Sequence, residues 1–204
     1  YSVYGNHDMI IDRGTCSSYE AASAQINYDK SNLDFFYMPG FSYSIEDSEL
    51  DLEILALDLN ELWEGNTCPW SQCEQACREN VKARKAAALE LFHERMAKSN
   101  ASNMIVFSHY PTDYLWAHSD VLDKMSKGAR PEGHARHVEY FAGHRHNVDQ
   151  DSTTSIHPNN NWLVGGGGGW GCDGHEQGFV VGELFSDGTV TTRPVIVDYY
   201  DCCR

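Results

Sequence analysis

Positive charge is what this chain has least of. Fifteen Lys and Arg stand against thirty Asp and Glu, a formal net charge of −15. That balance disfavours a nucleic-acid backbone as the main partner. A small phosphate ester stays open, because bound cations dominate the field inside a metal site. Long apolar runs are missing too, so no segment has the length to span a bilayer. There is no internal repeat and no Pro- or Ser-rich linker. The five-glycine run Gly165 to Gly169 lacks a following Gly-Lys-Ser/Thr, so a Walker-type nucleotide loop is unsupported. The run reads better as a loop packed closely against a site than as a phosphate cradle. No initiator Met and no signal peptide open the chain, and a signal peptide would lie upstream.

What is present fits one globular core. At 204 residues with 41% hydrophobic content, one domain over 1–204 is the default. Three stretches stand out. Val3-Tyr4 leads into Gly5-Asn6-His7-Asp8, Ile105-Val106-Phe107-Ser108 into His109, and Tyr140-Phe141-Ala142-Gly143 into His144-Arg145-His146. Each is an apolar, strand-like run ending in Asn or His, as a metal site at the carboxyl edge of a sheet requires. Neutral imidazole suits Zn, Fe and Mn, and amide oxygen suits the harder ions of that group. If the third run stays extended, His144 and His146 share one side and Arg145 turns away. Gly5 and Gly143 permit close backbone approach just before the ligands.

In that order, Gly5-Asn6-His7-Asp8, Ser108-His109 and Gly143-His144-x-His146 resemble the last three motif blocks of the calcineurin-like metallophosphoesterases. Within them the chain is most similar to the purple, tartrate-resistant-type acid phosphatases. Ala24-Gln25-Ile26-Asn27-Tyr28, Ile54-Leu55-Ala56-Leu57-Asp58, His109-Tyr110-Pro111 and the step from His109 to His118 support the narrower likeness. The resemblance implies an α/β fold of two packed mixed β-sheets flanked by helices. It implies two metal ions, Fe with Fe, Zn or Mn. Asn6, His109 and His144 would hold the second metal and His146 the first, with His7 and His118 as non-ligand proton donors near the leaving group. The activity implied is hydrolysis of phosphomonoesters. The alternatives are a phosphodiesterase of the same superfamily and a non-catalytic protein keeping the fold. The family's two earlier blocks, D-x-H or D-x-G and then G-D-x-x-D or G-D-x-x-Y, have no counterpart here. The expectation is therefore the C-terminal part of a phosphatase, inactive alone. Its remaining N-terminal part would be its partner, as the same or a separate chain.

Seven cysteines, Cys16, Cys68, Cys73, Cys77, Cys172, Cys202 and Cys203, read as disulfides of a secreted, lysosomal or vacuolar protein rather than a zinc site. Asn100-Ala101-Ser102 is an N-glycosylation sequon.

Periodicity supplies the remaining elements. Strands are expected at Ser42 to Ile45, Leu50 to Leu59, Met104 to His109, Val138 to Ala142, Trp162 to Val164, Phe179 to Phe185 and Thr189 to Val197. Helices are expected at Tyr19 to Lys30, Ala76 to Lys98 and Val121 to Lys127. Val81, Leu89, Phe92 and Met96 mark the inner face of the longest helix, with Lys82, Arg84, Lys85 and Glu90 placed elsewhere. His93 is expected to be solvated or to cap the helix rather than to act in catalysis, and His134 and His137 to lie on an exposed loop.

Overall fold

A computed structural model describes residues 1–10, 16, 25–26, 36–128, 130–131, 135–150, 160–164 and 177–197. The expected helix at Tyr19 to Lys30, the glycine run, His134 and the Asp198 to Arg204 tail lie wholly or mostly outside these residues.

The architecture is mixed α/β. Strands β1 (Tyr43–Asp47), β2 (Leu52–Leu57), β3 (Asn103–Ser108), β4 (His137–Ala142), β5 (Val148–Asp149) and β6 (Asn160–Val164) form one sheet in the order β1-β2-β3-β4-β6-β5. The four central strands β2, β3, β4 and β6 run parallel, and β1 and β5 close the edges antiparallel. Strands β7 (Gln177–Leu184) and β8 (Val190–Val197) form a separate hairpin. The helices among the described residues are short α1 (Glu64–Thr67), long α2 (Glu74–Lys98) and α3 (Ser119–Lys127). Gly128 ends α3 in the left-handed conformation and donates its N–H to the carbonyls of Lys124 and Met125.

Register explains why one sheet face is dry. Leu55, Val106 and Tyr140 lie side by side across β2, β3 and β4. They pack against Ala88, Phe92 and Met96 of α2 and Val121, Leu122 and Met125 of α3. Central parallel strands need this cover. Truncating Phe92, fully buried, would cost about 3–5 kcal/mol. The opposite face carries Ile54, Ile105, Phe107 and Phe141, which floor an open apolar trough of about 480 Å³ between Tyr1 and Phe179 of β7. The hairpin is tied to this sheet by Trp162 Nε1 donating to Thr192 Oγ1 at 3.0 Å and Asn103 Nδ2 donating to the Gly188 carbonyl at 3.1 Å.

Several expectations are corrected. Tyr1 to Gly5 is not a strand; no strand pairs with it among the described residues, and Asn6–Ile10 is a 3-10 helix. β1 runs past the expected Ile45 to include Glu46 and Asp47. β2 stops at Leu57, because Asp58 and Asn60 turn inward to a polar network. Between β2 and the expected start of the long helix at Ala76 lie a 3-10 helix (Asn60–Trp63) and α1, and α2 itself begins two residues earlier, at Glu74. Arg84 lies on the inner stripe of α2 with Val81 and Ala88, where it meets the buried Asp58 carboxylate at 3.3 Å. His137 begins β4 and pairs with Glu139 at 2.6 Å. His93 is not simply solvated. Its Nδ1 accepts from Lys124 Nζ at 2.7 Å, and its Nε2 is 3.2 Å from Asp120.

The cysteine expectation is met where it is described. Cys16 pairs with Cys73 and Cys68 with Cys77. Together they fasten the segment before α2. Among the described residues, no helix is long and apolar enough to cross a membrane.

Candidate metal centre

Parallel strands put their carboxyl ends at one edge, where ligands of open α/β sheets bind. β3 ends at Ser108 and hands the chain to His109. β4 ends at Ala142 and hands it to Gly143 and His144. The N–H of Gly143 donates to the His109 carbonyl at 3.0 Å, which locks the two exits together.

The Asn6 turn arrives from outside the sheet and is pinned at several points. Asp8 Oδ2 accepts from the Gly5 N–H at 2.7 Å, and its Oδ1 accepts from Gln25 Nε2 at 2.8 Å. Tyr4 is fully buried just upstream, and its carbonyl accepts from Asn60 Nδ2 at 3.0 Å. Asn60 Nδ2 also donates to Asp58 Oδ1 at 2.8 Å, and Arg84 Nη1 donates to Asp58 Oδ2 at 3.3 Å. The Arg84 guanidinium lies 3.5 Å over the Phe41 ring and 5.5 Å from the Tyr4 ring. Burial raises the Asp58 pKa against the opposing pull of Arg84.

Three donor atoms meet as a result. Asn6 Oδ1 and His109 Nε2 are 2.7 Å apart, and His109 Nε2 and His144 Nδ1 are 3.2 Å apart. Asn6 is buried. Burial, followed by the proximity of His144, His7 and His146, lowers the His109 pKa to about 3. Burial, followed by His146, Arg145 and His7, lowers that of His144 to about 4. Both rings are therefore neutral near pH 7, the form a metal ligand needs.

His144 and His146 do not alternate as strand residues. Both adopt positive φ, 68° and 50°, a conformation that costs a side-chain-bearing residue about 1–2 kcal/mol. The chain has left β4, and Arg145 N–H donates back to the Gly143 carbonyl at 2.8 Å. Arg145 is held outside by an ion pair with Asp113 and lies 5.8 Å over Tyr114. Gln177 Nε2, from β7, donates to the His146 carbonyl at 3.2 Å. Position along the chain thus brings His146 near the other rings despite the lost alternation.

The sequence-predicted residues therefore divide. Asn6, His109 and His144 are in direct contact. His7, which is exposed, and His146 are within electrostatic reach of both imidazoles. His118 precedes α3 as its N-cap residue; among the described residues, no hydrogen bond or ring contact joins its side chain to the cluster.

Among the described residues, no group of three or more His, Cys, Asp or Glu side chains is arranged to hold a metal ion. The third donor here is an amide, from Asn6. Two donors sharing one ion at 2.0–2.1 Å lie roughly 2.9–3.4 Å apart. The separations of 2.7 and 3.2 Å match this to within a few tenths of an ångström. Two of the three pair separations are thus close to those that a shared divalent cation would impose, and both are also ordinary hydrogen-bond distances.

Sequence reasoning missed the aromatic surround. His144 lies 4.7 Å from Tyr110, 5.3 Å from Trp63 and 5.5 Å from Tyr114, ring centre to ring centre. The aromatic content of the loop after His109 was the available signal. Trp63 comes from the 3-10 turn just before α1 and gave none. Neither the protein-family models nor the curated proteins compared with this chain match it.

Proposed function

We propose that the chain supplies one half of a two-metal site that hydrolyses phosphomonoesters, as in an acid phosphatase. The observation that carries this is the convergence of Asn6 Oδ1, His109 Nε2 and His144 Nδ1 at the carboxyl edge of a parallel sheet. Asn6, His109 and His144 would hold one ion, and His146 would contribute to a second. Fe with Fe, Zn or Mn suits these donors. When bound, the ions supply Lewis acidity and a nucleophile at mild pH.

The chain's own groups do the rest. The buried imidazoles offer unprotonated nitrogen near neutral pH. The neutral amide of Asn6 orients without adding negative charge beside an anionic ester. His7, exposed and in electrostatic reach of His109 and His144, would give a proton to the departing alkoxide. His118 keeps that role only if substrate binding brings the ring in. The trough over Ile54, Ile105, Phe107 and Phe141 supports a further partner, additional strands of the same domain or of a separate chain. The paired cysteines fit a secreted, lysosomal or vacuolar setting.

Joined to strands carrying the two earlier motif blocks, the protein is expected to release phosphate from an aryl phosphate. His144→Ala should abolish that release, and unchanged release in the variant refutes the reading. The 204 residues alone should turn over little, since His146 is the only ligand they offer the first metal. Robust hydrolysis by the isolated chain overturns that point. A non-catalytic role is the second reading, motivated by the two earlier motif blocks that have no counterpart in this sequence. Two equivalents of metal in the completed protein would reject it.

A further inference from the structure

The histidine cluster is walled on one side by aromatic rings, and one of them is left open. Trp63 is 42% exposed although its ring meets His144 edge-on at 5.3 Å and Tyr114 at 5.6 Å with a tilt of 36°. Tyr114 stands perpendicular to His144 at 5.5 Å and leans on Tyr110 at 5.0 Å. Tyr110 is fully buried and anchored by its hydroxyl to Thr67 Oγ1 at 3.2 Å. Of these three rings Tyr110 is buried, Tyr114 half-buried and Trp63 exposed.

Bracing His144 uses only one edge of the Trp63 contact. The remaining indole surface faces solvent beside two desolvated imidazoles. A flat, exposed π-surface at the rim of a polar site is a stacking platform for a planar group. Arg145 is already paired with Asp113 and lies 5.8 Å from the Tyr114 ring centre.

We infer that Trp63, backed by Tyr114, is the shelf for the leaving group, and that the substrates are phosphomonoesters of planar aromatic alcohols rather than of small alkyl alcohols. This rests on the phosphomonoester reading above. The phosphoryl group lies toward His109 and His144, and the ester oxygen carries the ring outward onto the indole. An alkyl phosphate would leave the indole hydrated and gain nothing from it.

The test is calorimetric titration of the full chain, with Zn²⁺ or Mn²⁺ added, using inorganic phosphate, methyl phosphate and phenyl phosphate. Stacking of this kind predicts that phenyl phosphate binds roughly ten-fold more tightly than methyl phosphate. Trp63→Ala should erase that preference, read as the ratio of phenyl to methyl affinity within the variant so that any change at the braced His144 cancels. Trp63→Phe should keep most of it, which separates loss of the shelf from loss of the fold. Equal affinities for the phenyl and methyl esters, or a preference that survives Trp63→Ala, overturn the shelf while phosphate binding still stands. No binding of inorganic phosphate by the metal-loaded chain overturns the shelf and the phosphomonoester reading together.

Discussion

Gly5→Ala is the sharpest perturbation of the candidate metal centre, because it adds one methyl group and nothing else. That methyl would stand 3.1 Å from both Cε1 and Nδ1 of His109. Neither Gly5 nor Gly143 is among the positive-φ glycines, so backbone conformation does not forbid alanine at either place. Space decides. At Gly143 the nearest atom, His109 Nδ1, is 3.6 Å away, which is ordinary contact. At Gly5 the imidazole must retreat by a few tenths of an ångström. The same motion pulls Nε2 from its 2.7 Å contact with Asn6. Overpacking of this size costs about 1–3 kcal/mol, and a tilting ring should sit near the lower limit, about 1 kcal/mol. Misorienting one ligand typically lowers metal affinity by about 10- to 100-fold. Gly5→Ala should therefore weaken Zn²⁺ or Mn²⁺ binding roughly ten-fold. Gly143→Ala should leave it within about a factor of two, since it meets only ordinary contacts. Calorimetric titration of both variants, with thermal melts alongside, measures this. Wild-type affinity in Gly5→Ala, or equal losses in the two variants, would refute the packing logic.

Other expectations follow from the same geometry. Arg84→Leu leaves the Asp58 carboxylate buried without its cation and should cost about 3–5 kcal/mol in urea denaturation; a loss under about 1 kcal/mol would show that water reaches Asp58. Reducing Cys16–Cys73, which spans 57 residues, should cost about 4 kcal/mol, against about 3 kcal/mol for Cys68–Cys77 with its separation of 9. Paired Cys→Ser variants with the reverse ranking would count against loop entropy as the cause. Burial pushes Tyr43 and Tyr110 up to about 12 from 10.0, and Tyr140 in the same direction. A folded pKa above the unfolded one stabilises fully below pH 10 and is lost as pH rises toward 12, so alkaline unfolding should begin in that window. Tyrosinate absorbance developing fully near pH 10 in a protein that stays folded would contradict it.

Much of the sheet was legible because burial repeats with a simple period. Leu55 and Leu57, then Met104, Val106 and Ser108, alternate as the register demands, and α2 shows its stripe at Val81, Ala88, Phe92 and Met96. The contact between His109 and His144 followed from where β3 and β4 stop, whereas Asn6 reaches them from a turn outside the sheet. Illegible features depended on partners remote in sequence. Local composition cannot announce whether a neighbouring strand exists; Val3 and Tyr4 have strand composition, but their segment is fixed instead by Asn60. Arg84 looked like a surface cation because nothing nearby in sequence declares Asp58. The His144-x-His146 alternation failed because pairing with β3 ends at Ala142, and period-two geometry lasts only as long as the ladder.

The link from Arg84 through Asp58 and Asn60 to the carbonyl of Tyr4 makes the middle of α2 a remote trimming screw for the Asn6 amide. A residue swap halfway down that helix is expected to tilt the turn and detune the ion's surroundings while the histidines themselves stay in register. Changes in α2 and changes at the turn should thus compensate one another, and a screen for restored metal uptake in Arg84 variants would find its suppressors near Tyr4 and Asn60.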